Sequence, residues 1–235
     1  MAEIIPAILA KSFGEIKNDL DMVALRVHAV QIDICDGKYV PSKTWPYTAA
    51  GKTDIDFEAL VNQEVGMPHW DELDFEFDLM VDDVYEKIPD FIAAGASALI
   101  VHRESVTDEE LERILADYGK GSEAISDFGI EIGIAYPPRT DILEDVARHI
   151  GRIHFVQVMG IDKVGFQGQA FSPKAVEAVA LLRAKFPELV INVDGGVNAE
   201  NAQSLSDAGA DRLVIGSAIF GEHDSVDALN TFLNI

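Results

Sequence analysis

Leu189-Val-Ile-Asn-Val-Asp-Gly-Gly-Val197 decides the fold. Four of its first five residues are apolar and three are β-branched, as a strand covered on both faces requires. Asp194 then stands at the strand's C-terminal end, where a side chain faces a ligand. Gly195 and Gly196 follow without side chains, so backbone N–H groups can approach an anion and positive φ is accessible. Asn198 is the expected cap of a helix running through Ala208. A carboxylate followed by an anion cradle points to a phosphorylated substrate.

The same strand-then-helix unit recurs along the chain. Strands are expected over 4–9, 28–34, 74–81, 98–101, 130–135, 153–159, 189–193 and 212–215. Between them lie helical patterns, several with clear start signals: Ser12 and Glu15, and Thr107 and Glu110, have capping-box spacing, and Ser172-Pro173 caps and starts another. The first helix is read to about Val27, and Pro6 as an end or irregularity of the first strand. Eight strands alternating with eight helices define a parallel (β/α)8 TIM barrel, taken as one domain over 1–235. The connection between the second and third strands, about 37–71, is long and irregular and is read as a lid or an oligomer contact. It holds Trp45, the run Ala49 to Thr53, and Trp70.

With 235 residues, 48% of them hydrophobic, the chain can bury one sizeable core. Its net charge of −23 repels phosphate-rich surfaces, which argues against nucleic acid or an anionic membrane as partner. A bound phosphate must therefore be held locally, by backbone amides and helix N-termini. The lone cysteine, Cys35, fits a reducing compartment, and without a leader-like N-terminus or a long apolar run the expected location is cytoplasmic.

In a barrel of this kind the loops after the strands form one face and carry the chemistry. Asp33, Asp78, His102, Asp194 and Ser217 all fall at strand ends and are expected to converge there. The glycines after strands six, seven and eight, Gly165 and Gly168, Gly195 and Gly196, and Gly216 with Ser217, form the expected phosphate site.

With these pieces together the chain resembles the ribulose-phosphate 3-epimerase family of ribulose-phosphate-binding barrels. The likeness runs through Pro6-Ala-Ile-Leu9, Gln31-Ile-Asp-Ile-Cys-Asp-Gly-Lys-Tyr-Val-Pro41, Asp78-Leu-Met-Val81, Val156-Gln-Val-Met159, Gly165-Phe-Gln-Gly-Gln-Ala-Phe171, Val193-Asp-Gly-Gly-Val197 and Gly216-Ser-Ala-Ile-Phe220. The resemblance implies a metal held by two histidines and two aspartates, the aspartates also acting as acid and base on opposite faces of an enediolate. Asp33 and Asp194 match those aspartates. The histidines are replaced, by Gln31 on strand two and Asp78 on strand three. The resemblance places Ala7, Cys35 and Tyr136 at substrate-pocket positions, where the family usually has serine, methionine and asparagine; Met80 and Met159 are read as pocket residues beside them, and the strand-end His102 either orients substrate or is structural.

Gln31, Asp33, Asp78 and Asp194 are an all-oxygen set, which suits Mg²⁺, Mn²⁺ or another hard divalent ion better than Zn²⁺. Without a cation, three carboxylates at one centre must share a proton. The expectation is an epimerase-like enzyme acting next to the carbonyl of a small phosphorylated sugar, with no organic cofactor, and by family habit a homo-oligomer. The competitors are a catalytically silent sugar-phosphate-binding barrel, for which the missing histidines speak, and a lyase or decarboxylase of a related barrel, against which Met80 at the expected lysine position speaks.

Overall fold

The computed structural model describes residues 2–48, 53–122, 129–166 and 168–234. Residues 49–52 of the long connection and Gln167 of the glycine-rich loop lie outside the described residues. The described elements are β1 (Glu3–Ile8), α1 (Phe13–Val23), β2 (Ala29–Cys35), α2 (Ile55–Val61), β3 (Asp74–Met80), α3 (Val84–Ala93) and β4 (Ala98–His102). They continue with α4 (Asp108–Tyr118), β5 (Glu131–Tyr136), α5 (Leu143–His149), β6 (Phe155–Met159), α6 (Lys174–Lys185) and β7 (Val190–Asp194). The last are α7 (Ala202–Ala208), β8 (Arg212–Ile215), α8 (Ser217–Phe220) and α9 (Ser225–Phe232).

The eight strands pair in sequence order, all parallel, and β8 closes onto β1. This is a (β/α)8 barrel, and closure removes every sheet edge. One face of each strand packs against the helical ring, where the main apolar core lies. The other points into the barrel, where Ala98, Ile100, Ala135, Phe155 and Met159 fill one part and Ile5, Ala7, Ala29 and Val214 another. Register then sets what meets above this filling: Asp33 pairs with Asp78, and Met159 with Asp194.

Helix starts follow the capping chemistry. Ser12 Oγ accepts from the Glu15 amide at 3.2 Å while the Glu15 carboxylate reaches back to the Lys11 amide at 2.7 Å. Thr107 accepts from the Glu110 amide in the same way. Four expectations are corrected. α1 ends at Val23, short of Val27, and Pro6 sits within β1. Asn198 caps a turn, accepting from the Glu200 and Asn201 amides, and α7 starts only at Ala202. The extra helix α8 begins directly at Ser217.

The long connection is anchored at one of its two tryptophans. Trp45 is fully buried, stacked on Phe13 at 5.5 Å and edge-on to Phe57 at 5.3 Å. It therefore anchors the segment to the helical layer and offers no surface to a partner, whereas Trp70 is 70% exposed. At the opposite end of the barrel interior, Arg212 bridges Glu76 at 3.1 Å and Glu3 at 3.3 Å. Burial pushes Glu76 up to about 7, outweighing the attraction of Arg212.

Candidate active site

Asp194 ends β7, and Asp33 and Asp78 each stand two residues before the ends of β2 and β3; inward alternation brings all three to the top of the barrel. One carboxylate oxygen from each lies within 4.8 Å of the others, and all three residues are buried. Gln31, two residues before Asp33 on the same face, ties the pair together: its Nε2 donates to Asp33 Oδ1 at 2.8 Å and to Asp194 Oδ2 at 3.0 Å. Gln157 of β6 donates to the same Asp194 oxygen at 3.2 Å.

Three carboxylates this close cannot all be charged without a cation. Asp33 is pushed well above the ordinary carboxylate range by burial and then by the charges of Asp194 and Asp78, with the Gln31 hydrogen bond acting against them. Burial, and after it the Asp78 charge, pushes Asp194 up to about 7. The centre therefore holds a proton or binds a cation. Asp78 Oδ2 and Gln31 Oε1 are buried with no hydrogen-bond partner among the described residues. Three crowded carboxylates, one with an oxygen left without a partner, are a donor set a hard divalent ion takes, so the residues present fit one.

Behind Asp78 stands His102, at the end of β4, with its Nε2 2.8 Å from Asp78 Oδ1. Burial lowers the imidazole pKa, but the charge and hydrogen bond of Asp78 together outweigh it, and the net direction is up.

A single cavity opens over the carboxylates. It is lined by Ala7, Asp33, Asp78, Met80, Met159 and Asp194 from the strands and by Ile161, Gly165, Phe166, Gly168, Gln169, Gly195, Gly196, Val197, Gly216 and Ser217 from the loops. The glycine sets from three loops thus share one wall. Gly195 and Gly196 have φ of 98° and 70°, the left-handed region, and a Cβ on Gly195 would lie 2.8 Å from Ile161. The loop after β2 closes the other side. Val40 touches Gly165, so that a Cβ there would stand 2.8 Å from Val40 Cγ2. Thr44 Oγ1 donates to the Asp33 carbonyl at 2.7 Å and accepts from the Cys35 amide, fixing the end of β2.

Not every sequence-derived pocket position faces this cavity. Tyr136 is buried on the other face of β5, among the residues of the outer core, and its hydroxyl donates to Asp145 on α5 at 3.0 Å. Ala135 takes the inward place, so the substrate-pocket assignment of Tyr136 is corrected. Cys35 is buried beside Val40 and Met80 and does not line the cavity, with burial pushing its thiol up, away from nucleophilic use. His102 and Gln31 reach the centre through the aspartates rather than through the cavity wall. Gln157 was missed as a functional residue. Its signal was a polar side chain in an apolar strand, on the face of Met159.

The model of the ribulose-phosphate 3 epimerase family matches residues 3–220. The chain is 30% identical to ribulose-phosphate 3-epimerase of Escherichia coli K12 over 226 residues, covering 94% of this chain and 90% of that one. Against the enzyme of the same name from Bacillus subtilis it is 30% identical over 237 residues, covering 98% and 97%. Among solved structures it resembles a 3-hexulose-6-phosphate synthase, with TM-score 0.66, 18% identity and coverage of 98% and 97%. It also resembles orotidine 5'-phosphate decarboxylase from Pyrococcus horikoshii, with TM-score 0.61, 16% identity and coverage of 99% and 98%. At such identities the structural likeness concerns the fold alone. No helix among the described residues is long and apolar enough to cross a membrane.

Proposed function

The chain belongs to the ribulose-phosphate 3-epimerase family, and from that premise we propose that it inverts the carbon next to the carbonyl of a ketose phosphate, with Asp33 and Asp194 as the proton-transfer pair. The observation that carries the reading is two buried carboxylates that line one cavity and are bridged by one amide; without a cation, burial and repulsion among the carboxylates push both upward. Epimerisation through an enediolate needs one carboxylate to take the C3 proton and one carboxylic acid to return a proton to the opposite face. A pair that together retains a proton near neutral pH is poised in that state. The reverse reaction uses the same two groups with roles exchanged. Gln31 keeps both aspartates aimed at the cavity through the exchange, and Gln157 steadies Asp194.

The sugar's phosphate is assigned to the wall formed by Gly195, Gly196, Gly216 and Ser217 together with Gly165 and Gly168. Backbone amides suit a chain whose net charge of −23 offers no basic patch. Ala7, Met80, Met159 and Ile161 exclude water around the reacting carbons.

Gln31, Asp33, Asp78 and Asp194 would hold the divalent ion, and their oxygen-only chemistry favours Mg²⁺ or Mn²⁺ over Zn²⁺. When bound, such an ion stabilises the oxyanion that develops on enolisation. A homo-oligomer in a reducing cytoplasm completes the reading. Light scattering that shows only a monomer would remove the oligomer part.

The test is turnover of ribulose phosphate and other ketose phosphates by protein purified without chelator, with and without added Mn²⁺ or Mg²⁺. Conversion to the 3-epimer is expected. Saturable binding with no conversion would instead favour the catalytically silent barrel, for which the replacement of two imidazoles by Gln31 and Asp78 speaks.

A further inference from the structure

The geometry points to His102 as a positioning residue that fixes Asp78 as the third oxygen donor of the cation site, an inference that rests on the cation reading above. Asp78 is fully buried, and its two oxygens are used differently. Oδ1 meets His102 Nε2 at 2.8 Å, while Oδ2 is buried with no partner among the described residues, and the carboxylate as a whole brings an oxygen within 4.8 Å of oxygens of Asp33 and Asp194. As a cation ligand Asp78 would be a carboxylate, which only accepts hydrogen bonds, so Nε2 would carry the proton toward it. The imidazole holds the rear oxygen and leaves the front one for a cation.

His102 is itself held. It is 3% exposed, its ring lies 5.9 Å from that of Tyr39 on the loop after β2, and its carbonyl accepts from Ser105 Oγ at 2.8 Å in the turn that follows β4. A terminal carboxylate torsion is broad, with little intrinsic preference. Without the imidazole, Asp78 would rotate freely toward or away from its neighbours, and their negative charges would drive it away. A partner one layer behind a metal ligand typically accounts for about 10- to 100-fold in metal affinity.

Mn²⁺ titration of metal-stripped protein, followed by the EPR signal of the free ion, tests this. Wild type should take up one equivalent. H102L should bind about 10- to 100-fold more weakly, whereas H102Q, which places an amide N–H where Nε2 stands, should bind nearly as wild type does. Thermal melts confirm that the variants are folded. If H102L does not fold, H102N takes its place with the same expected loss, because its shorter amide falls short of Asp78. Unchanged affinity in H102L, or an equal loss in H102L and H102Q, would overturn the positioning role. No Mn²⁺ uptake by the wild type would instead overturn the cation reading itself.

Discussion

Replacing Asp194 by Asn separates what this side chain does for the reaction from what it costs the fold. Asn keeps the shape, and its carbonyl oxygen can accept both Gln31 Nε2 and Gln157 Nε2, which lie 3.0 and 3.2 Å from Asp194 Oδ2. The Gly195 amide, which also donates to the Asp194 carboxylate, keeps its partner only by sharing that oxygen. The charge, however, disappears. Burial and then Asp78 raise the Asp194 pKa from 3.8 to about 7 in the folded chain. A carboxylate with a raised folded pKa lowers stability above its unfolded pKa, and the cost grows until the pH passes the folded value. At ~1.4 kcal/mol per pKa unit the full cost is at most about 4 kcal/mol above neutral pH, and relaxation of the coupled site makes the realised value smaller. In urea unfolding with EDTA, D194N should therefore match wild type near pH 4 and exceed its stability by a few kcal/mol near pH 8. Turnover should fall by at least about 100-fold, the usual contribution of a positioned acid or base. A folded D194N that is less stable than wild type at both pH values, or that keeps turnover within about tenfold, would refute the reasoning.

Three further expectations concern other parts of the barrel. Glu76, raised to about 7 by burial, should make the protein lose stability as pH rises from about 4.5 to 7, by roughly 3 kcal/mol at most. E76Q should flatten that slope in EDTA without changing the effect of Asp194, and an unaltered slope would contradict it. Gly195→Ala, at φ 98° with Ile161 2.8 Å from the new Cβ, should raise KM for the phosphorylated substrate more than it lowers kcat. An unchanged KM would remove Gly195 from the phosphate wall. Trp45→Ala should cost about 3–5 kcal/mol in denaturant melts, because it empties the space between Phe13 and Phe57. A cost below ~1 kcal/mol would show that the site collapses freely.

The alternation of apolar strands and capped helices was legible because each unit announces itself locally. β8 was bounded without error at Arg212–Ile215, and the convergence of Asp33, Asp78 and Asp194 followed from three strand ends in a closed barrel. What was not legible depends on the face of a strand or on distant pairing. Tyr136 was read as a pocket residue from the family resemblance, but the period of two puts it on the side of Ile132 and Ile134, facing α5, and gives Ala135 the interior. Neither the bridging of Asp33 and Asp194 by Gln31 nor the link of His102 to Asp78 leaves a mark in spacing, since each joins neighbouring or opposite strands. The burial of Trp45 is likewise a tertiary fact, set by Phe13 and Phe57.

The most direct test of proton transfer between Asp33, Asp194 and the substrate carbon is epimerisation in D₂O, followed by NMR at C3 of ribulose phosphate and its epimer. Product carrying deuterium at C3 is expected, because the proton taken by one carboxylate is not the one delivered by the other. Product that keeps its original proton at C3, or a substrate that neither exchanges nor converts in the presence of Mn²⁺, would contradict the two-carboxylate mechanism.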